Sequence, residues 1–228
     1  MVCDTSRGTT LGNGDDVVMT VEHLLSALWA CGISAARIQC SGKEIPVLDG
    51  SSAVFLDMLE DAGAAPCGSD GLVFSPESPL FVSRGGAFAG ILPGEGFSAE
   101  YFLDYEHPMI GAQSFFYDGS YEAYKSFIAP SRTFVLYEEV KALLENNLAR
   151  GGTVDNCIVT FRDRFSSPLR HPGELPGHKL LDILGDLSLC GARLEGRVIA
   201  YKSGHRLNTE LAFCLQQAVE KEAGRQVP

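Results

Sequence analysis

An α+β fold is predicted, because strand and helix patterns segregate within each half of the chain instead of alternating. Residues 5–63 carry two helix patterns with few strands, whereas residues 72–117 read as successive strands separated by glycine turns. Between them, Ala64–Gly71 contains Pro66, Gly68, Ser69 and Asp70 and is the predicted linker, giving a first unit at 1–63 and a second at 72–228. A faint echo joins the two: a His-bearing helix, a Cys-Gly terminus and a strand occur once on each side of the linker.

Taken in order, Thr9-Thr10-Leu11 and Val17-Val18-Met19 fit two short strands joined by a turn at Asn13-Gly14. Thr20 is a suitable N-cap for a helix through Ala30, with Glu22 in the first turn, where a carboxylate suits the helix dipole. Leu24, Leu25, Leu28 and Trp29 give that helix its core face, and Cys31-Gly32 ends it. A strand is expected at Ala35–Cys40, then an extended Ile45-Pro46-Val47-Leu48 held away from helix by its proline. Ser51 or Ser52 caps a second helix that stops at Gly63. Beyond the linker, Leu80–Ser83, Ala87–Leu92 and Phe97–Asp104 read as consecutive antiparallel strands, followed by a strand at Gln113–Tyr117. Helices fit Tyr121–Ile128 and Tyr137–Asn147, a strand fits Cys157–Phe161, and Arg162–Pro176 reads as a polar loop. A helix at Gly177–Cys190, a strand at Arg197–Lys202 and a helix from about Asn208 to Ala223 complete the chain.

Composition limits the function classes. With 228 residues and 45% hydrophobic content, the chain can build one large core or two smaller ones. A formal charge of −11 leaves no basic field for a phosphate backbone, so no nucleic-acid partner is expected. An anionic small substrate would instead need local Lys or Arg. The seven cysteines include no Cys-x-x-Cys, and several sit in apolar stretches as buried thiols do, which suggests a reducing compartment. The N-terminal residues lack an apolar leader core and no run reaches transmembrane length, so a cytoplasmic protein without a membrane segment is expected.

The most informative stretch is Gly177–Cys190. Leu180, Leu181, Ile183, Leu184, Leu187 and Leu189 surround most of its helical cylinder, which predicts burial on nearly every side. Through it runs one polar stripe, His178, Asp182 and Asp186 at i, i+4 and i+8, with Lys179 beside it. An imidazole and two carboxylates are costly to bury unless paired or bound to a metal. A solvated stripe on an amphipathic helix is the ordinary alternative.

Glu22-His23 has two readings. Glu22 can simply complement the dipole while His23 is a hydrogen-bonded core residue. Alternatively, His23 joins His178 and Asp182 as a zinc ligand and Glu22 is the base that takes a proton from water. His205, in Ser203-Gly204-His205 after a strand, is either a surface-loop residue or a proton donor oriented by Asp186. Thr133, in Ser131-Arg132-Thr133-Phe134, is either a cap or strand residue or a hydroxyl donor to an oxyanion. His107-Pro108 and His171-Pro172 look like turns, and no His-Glu-x-x-His, Walker loop or Gly-x-Ser-x-Gly occurs.

Five motifs, in order, resemble the UDP-3-O-acyl-N-acetylglucosamine deacetylase family (LpxC). They are Thr-Val-Glu-His-Leu-Leu-Ser-Ala-Leu (20–28), Glu-Ile-Pro-Val-Leu-Asp-Gly-Ser (44–51), Ser-Arg-Thr-Phe (131–134), Gly-His-Lys-Leu-Leu-Asp-Ile-Leu-Gly-Asp-Leu (177–187) and Tyr-Lys-Ser-Gly-His-Arg-Leu-Asn (201–208). The resemblance implies a zinc-dependent amidohydrolase that removes acetate from UDP-3-O-acyl-N-acetylglucosamine in lipid A biosynthesis. It implies two sheet-and-helix layered domains of similar topology packed face to face, with the site between them. Under it, His23, His178 and Asp182 match the zinc ligands and Glu22 the general base. His205 matches the general acid or intermediate-stabilising imidazole, with Asp186 as its orienting carboxylate. Thr133 matches the oxyanion donor, Lys179 a substrate-contacting lysine, and Phe134 a ring in the substrate cleft. Leu148–Phe161 aligns with an insert that builds the acyl-chain passage.

The family carries a further segment before the residues that match Arg7, supplying the first strands of domain one, so the first domain is expected to be truncated here. A sheet without those partners exposes edges and apolar helix faces. Self-association covering that surface is one expectation; a rearranged domain or a shortened product are the others. The alternative functions are deacetylation of a different N-acetylated sugar nucleotide, and an inactive zinc-binding relative acting as an interaction subunit.

Overall fold

The structure is a computed structural model that describes residues 1–68, 71–140, 153 and 156–224. It is α+β. The N-terminal strands β1 (Val2–Asp4), β2 (Thr10–Asn13) and β3 (Asp16–Val18) form an antiparallel sheet in that order, with Leu11 opposite Val18. Gly14 takes φ 64° in the predicted turn between β2 and β3.

Helix α1 (Glu22–Ala30) follows, but Thr20 is not its cap. Thr20 sits at φ 59° and its hydroxyl donates to Glu44 Oε1 at 3.1 Å, so Val21 takes the N-cap place without a side-chain bond. The strand expected at Ala35–Cys40 does not form. These residues are exposed, and no strand among the described residues lies beside them to complete a ladder. Helix α2 (Ala53–Ala62) begins after Ser52, with Ser51 Oγ accepting from the Ala53 N–H at 3.2 Å, and ends at Gly63 (φ 70°) as expected.

Strand β4 (Val73–Phe74) precedes β5 (Leu80–Arg84), β6 (Ala87–Leu92), β7 (Phe97–Asp104) and β8 (Ala112–Tyr117). Then comes α3 (Tyr121–Ala123), which continues as a π-helical turn through Tyr124–Ile128. Strands β9 (Phe134–Leu136) and β10 (Ile158–Thr160) pair in parallel, Val135 opposite Val159. Of the helix expected at Tyr137–Asn147, residues 137–140 are helical and the remainder lies outside the described residues.

Helix α4 (Glu174–Leu187) and its 3₁₀ extension Ser188–Cys190 form the buried helix. It starts three residues before Gly177, because Pro176 falls in the first turn, where a missing N–H costs no intrahelical bond. Lys179 is the one residue of α4 not buried. The chain ends with β11 (Arg193–Leu194), paired in parallel with β4, then β12 (Gly196–Tyr201) and α5 (His205–Glu222).

The main sheet has the order β5-β6-β12-β7-β8. The expected neighbours β6 and β7 are therefore separated. Strand β12 lies between them, antiparallel to β6 (Val198 opposite Ile91) and parallel to β7 (Val198 opposite Ala99). Val198 and Ala200 are buried in the same core cluster as residues of α4 and α5, so the late strand suits a central place.

One core cluster joins Ile91, Tyr101 and Val198 of the sheet with Leu180, Leu181 and Leu184 of α4, Leu211 and Leu215 of α5, and Leu56 of α2. A smaller cluster gathers Val21, Ala27, Ile45 and Phe55. Among the described residues, no helix is long and apolar enough to cross a membrane.

Helices α1 and α4 approach closely at Gly185, where a Cβ would stand 2.1 Å from the carbonyl oxygen of Glu22. That clash is with backbone, so Gly185→Ala must move one helix against the other. Its expected cost is about 1–3 kcal/mol. Equilibrium urea unfolding measures it, and unchanged stability would mean the crossing is loose.

Candidate active site

The tight crossing places the first two residues of α1 against the polar stripe of α4. His23 Nε2 lies 3.9 Å, and His178 Nε2 3.5 Å, from Asp182 Oδ1. The three residues can offer one ligand atom each within 4.8 Å of one another, and all three are buried. The two imidazole rings stand nearly perpendicular, with centroids 5.2 Å apart.

The remaining hydrogen bonds tell what this cluster suits. The His178 Nδ1–H donates to the Ser131 carbonyl at 3.1 Å, which leaves a lone pair on Nε2. Lys179 Nζ donates to Asp182 Oδ2 at 2.7 Å, while Asp182 Oδ1 and His23 Nδ1 have no partner among the described residues. Burial pushes the pKa of His178 down to about 3 and lowers that of His23, so both rings are neutral, the form that ligates metals. Burial opposes charge on Asp182, but the Lys179 ammonium bonded to its Oδ2 favours the carboxylate, and the carboxyl lies below its usual range. A carboxylate oxygen and an imidazole lone pair facing each other in a buried space are repulsive without a cation. The donor set therefore fits a metal ion.

Beside it stand two titratable groups, both shifted upward. Burial raises the pKa of Glu22 to about 7. For His205, burial alone would lower the value, but Asp182, Asp186 and the hydrogen bond to Asp186 raise it to about 9. Glu22 Oε1 and His205 Nε2 are 4.0 Å apart. A carboxyl that titrates near neutrality beside an imidazolium can serve as a base next to an acid.

His205 opens α5 instead of projecting from a surface loop. Its Nδ1 meets Asp186 Oδ2 at 3.0 Å. One turn on, Asn208 Nδ2 donates to the same oxygen at 2.9 Å. The buried Tyr101 hydroxyl donates to the Ser203 carbonyl at 2.6 Å and so fixes the turn before His205.

Thr133 is held by its backbone: its N–H donates to Gly50 O and its carbonyl accepts from Ile158 N–H, both at 2.8 Å. Gly50 has φ 81°, and a Cβ there would fall 1.7 Å from Asn156 O, so the position demands glycine. The Phe134 ring centroid is 5.6 Å from Lys179 Nζ and 6.5 Å from the His178 ring. Of the expected acyl-passage segment Leu148–Phe161, residues 148–152, 154 and 155 lie outside the described residues; Phe161 packs against Tyr137 with ring centroids 4.9 Å apart.

A family model described as LpxC, UDP-3-O-acyl N-acetylglycosamine deacetylase, matches residues 1–217. The chain belongs to this family. A protein of Chlamydia muridarum is 40% identical over 224 residues, which is 97% of this chain and 78% of that protein. One from Syntrophus aciditrophicus is 38% identical over 221 residues, 96% of this chain and 70% of that protein. One from Chlamydia trachomatis serovar L2 is 38% identical over 224 residues, 97% and 78% of the two chains. All three are named UDP-3-O-acyl-N-acetylglucosamine deacetylase.

Within this LpxC chain, three supports of the site are absent from the expectations drawn from sequence. Thr9, expected only as a strand residue, is buried and bonded to both Glu22 and Asp186. The Ser131 carbonyl, which no side-chain pattern could reveal, orients His178. Arg132 and Glu174 form a buried ion pair, Nε to Oε1 at 2.7 Å, under the Ser131–Phe134 segment. Glu174 belongs to the stretch expected to be a polar loop.

Proposed function

We propose that this chain hydrolyses the acetamide of UDP-3-O-acyl-N-acetylglucosamine, releasing acetate and leaving the free amine, a step of lipid A biosynthesis. The observation that carries this is the unpartnered Asp182 oxygen facing two neutral imidazoles next to Glu22, in a chain whose relatives bear that activity in their names. His23, His178 and Asp182 would hold a zinc ion, which suits three nitrogen or oxygen ligands with one open position. Such an ion supplies Lewis acidity to the amide carbonyl and to water.

The chain's own groups do the rest. Glu22, with its pKa near 7, takes the proton of the attacking water. The Thr133 hydroxyl and the His205 imidazolium donate to the carbonyl oxygen as it gains charge. Asp186 fixes His205 through Nδ1, so that Nε2 carries a proton toward the substrate. Glu22 or His205 then delivers a proton to the departing amine. Lys179 and Phe134, which stand together beside His178, contact the substrate. We place this chemistry between a first unit, 1–63, and a second, 72–228, in a cytoplasmic protein. Cys3, Cys31, Cys40, Cys157, Cys190 and Cys214 are thiols and not disulfides, in keeping with a reducing compartment.

Metal analysis together with an acetate-release assay on this substrate tests the reading. The purified protein is expected to hold about one zinc per chain, and Asp182→Asn to lose both metal and turnover. Full turnover by Asp182→Asn would remove the proposed metal site.

A further inference from the structure

We infer that Thr9 is a positioning residue that ties the base Glu22 to Asp186, the carboxylate behind His205. The inference rests on the roles proposed above for Glu22, Asp186 and His205. All three polar groups of Thr9 are committed to this region. Its N–H donates to Glu22 Oε2 at 2.9 Å, its carbonyl accepts from the Val21 N–H at 3.2 Å, and its hydroxyl donates to Asp186 Oδ1 at 2.5 Å. Thr9 is completely buried, so no water replaces any of these bonds.

The bonds divide the oxygens of each carboxylate. On Asp186, Oδ1 is taken by Thr9, leaving Oδ2 for His205 Nδ1 and Asn208 Nδ2. A carboxylate pinned at one oxygen cannot rotate about its terminal torsion, so the other oxygen keeps its aim at the imidazole. On Glu22, Thr9 holds Oε2, and Oε1 is left to face His205 Nε2 at 4.0 Å. Gly8 keeps that side open, since a Cβ there would lie 2.8 Å from Glu22 Oε1. One residue therefore sets both the orientation of the base and, through Asp186, that of the imidazole. It does so from outside both helices that carry them.

Thr9→Val tests the hydroxyl alone, because valine matches threonine in shape and keeps the N–H bond to Glu22. A hydrogen bond to a charged group of this strength predicts a fall in kcat of about tenfold to a hundredfold. KM should stay within about twofold and bound metal unchanged, since neither a ligand nor a substrate contact is lost. Thr9→Ser, which restores the hydroxyl, should recover kcat to within about threefold of the parent enzyme. Added to Asp186→Asn, Thr9→Val should cost little more, because the two changes break the same link.

A wild-type kcat in Thr9→Val overturns the inference, as does a Thr9→Ser enzyme as impaired as Thr9→Val. So does a loss of metal or of thermal stability that parallels the loss of activity, which would make Thr9 merely structural. If Asp186→Asn alone retains full kcat, the underlying reading of Asp186 fails instead. An impaired Asp186→Asn beside an unimpaired Thr9→Val removes the Thr9 assignment and leaves that reading intact.

Discussion

Glu22→Gln is expected to lower kcat by about 10²- to 10⁴-fold, with bound metal and KM close to those of the parent enzyme. The substitution preserves size, and the amide oxygen can still accept the Thr9 N–H that now bonds Oε2. The backbone crossing at Gly185 is untouched, so His23, the next residue, keeps its place against Asp182. What glutamine cannot do is take a proton. Its surroundings suit Glu22 to that proposed role. Burial lifts its pKa to about 7, so that the carboxylate is basic enough to accept a proton from water and acidic enough to give it up. Turnover within about tenfold of the parent enzyme would mean that some other group takes the proton and that Glu22 merely shapes the pocket. Steady-state kinetics with a parallel metal measurement separates these outcomes.

The polar stripe of α4 is legible in the sequence because its geometry is local. His178, Asp182 and Asp186 share a face through helical periodicity, and the apolar residues at most of the remaining positions mark the helix as buried. Family motifs then join that stripe to Glu22-His23. Long-range placement is harder. Strand β12 lies between β6 and β7, about a hundred residues away in the chain, and nothing in the local alternation of β6 or β7 marks which neighbour each takes. The cap expected at Thr20 fails for a similar reason, since Glu44 claims its hydroxyl. Thr9 looks ordinary in the sequence because its role is set by partners 13 and 177 residues away. Glu174 is hidden in an apparently polar loop, where a charged residue is normally solvated; the structure buries it completely.

Glu174→Ala is expected to destabilise the fold by about 3–5 kcal/mol, because it leaves the Arg132 guanidinium buried without its counter-charge. For a chain of this size that corresponds to a melting-temperature fall of roughly 6–20 °C. Glu174 accepts from Arg132 Nε at 2.7 Å, from Arg132 Nη2 and the Arg132 backbone N–H at 3.2 Å, and from the Arg170 backbone N–H at 2.5 Å. Ser167 Oγ and Pro168 O would remain to the guanidinium, and neither carries charge.

The loss should also reach the proposed metal site. Arg132 follows Ser131, whose carbonyl fixes the His178 ring, and precedes Thr133. Loosening the group that orients a ligating imidazole typically costs about 10- to 100-fold in metal affinity, which competition with a chelator would read. Removing both charges, with Arg132→Met and Glu174→Leu, leaves no buried ion unpaired and should restore part of the stability. It should not restore the affinity, because the carboxylate that ties the Arg132 and Arg170 backbones together is still gone. An unchanged melting temperature in Glu174→Ala would show that water reaches Arg132. Full recovery of affinity in the double variant would show that the Ser131 carbonyl holds its place without the ion pair.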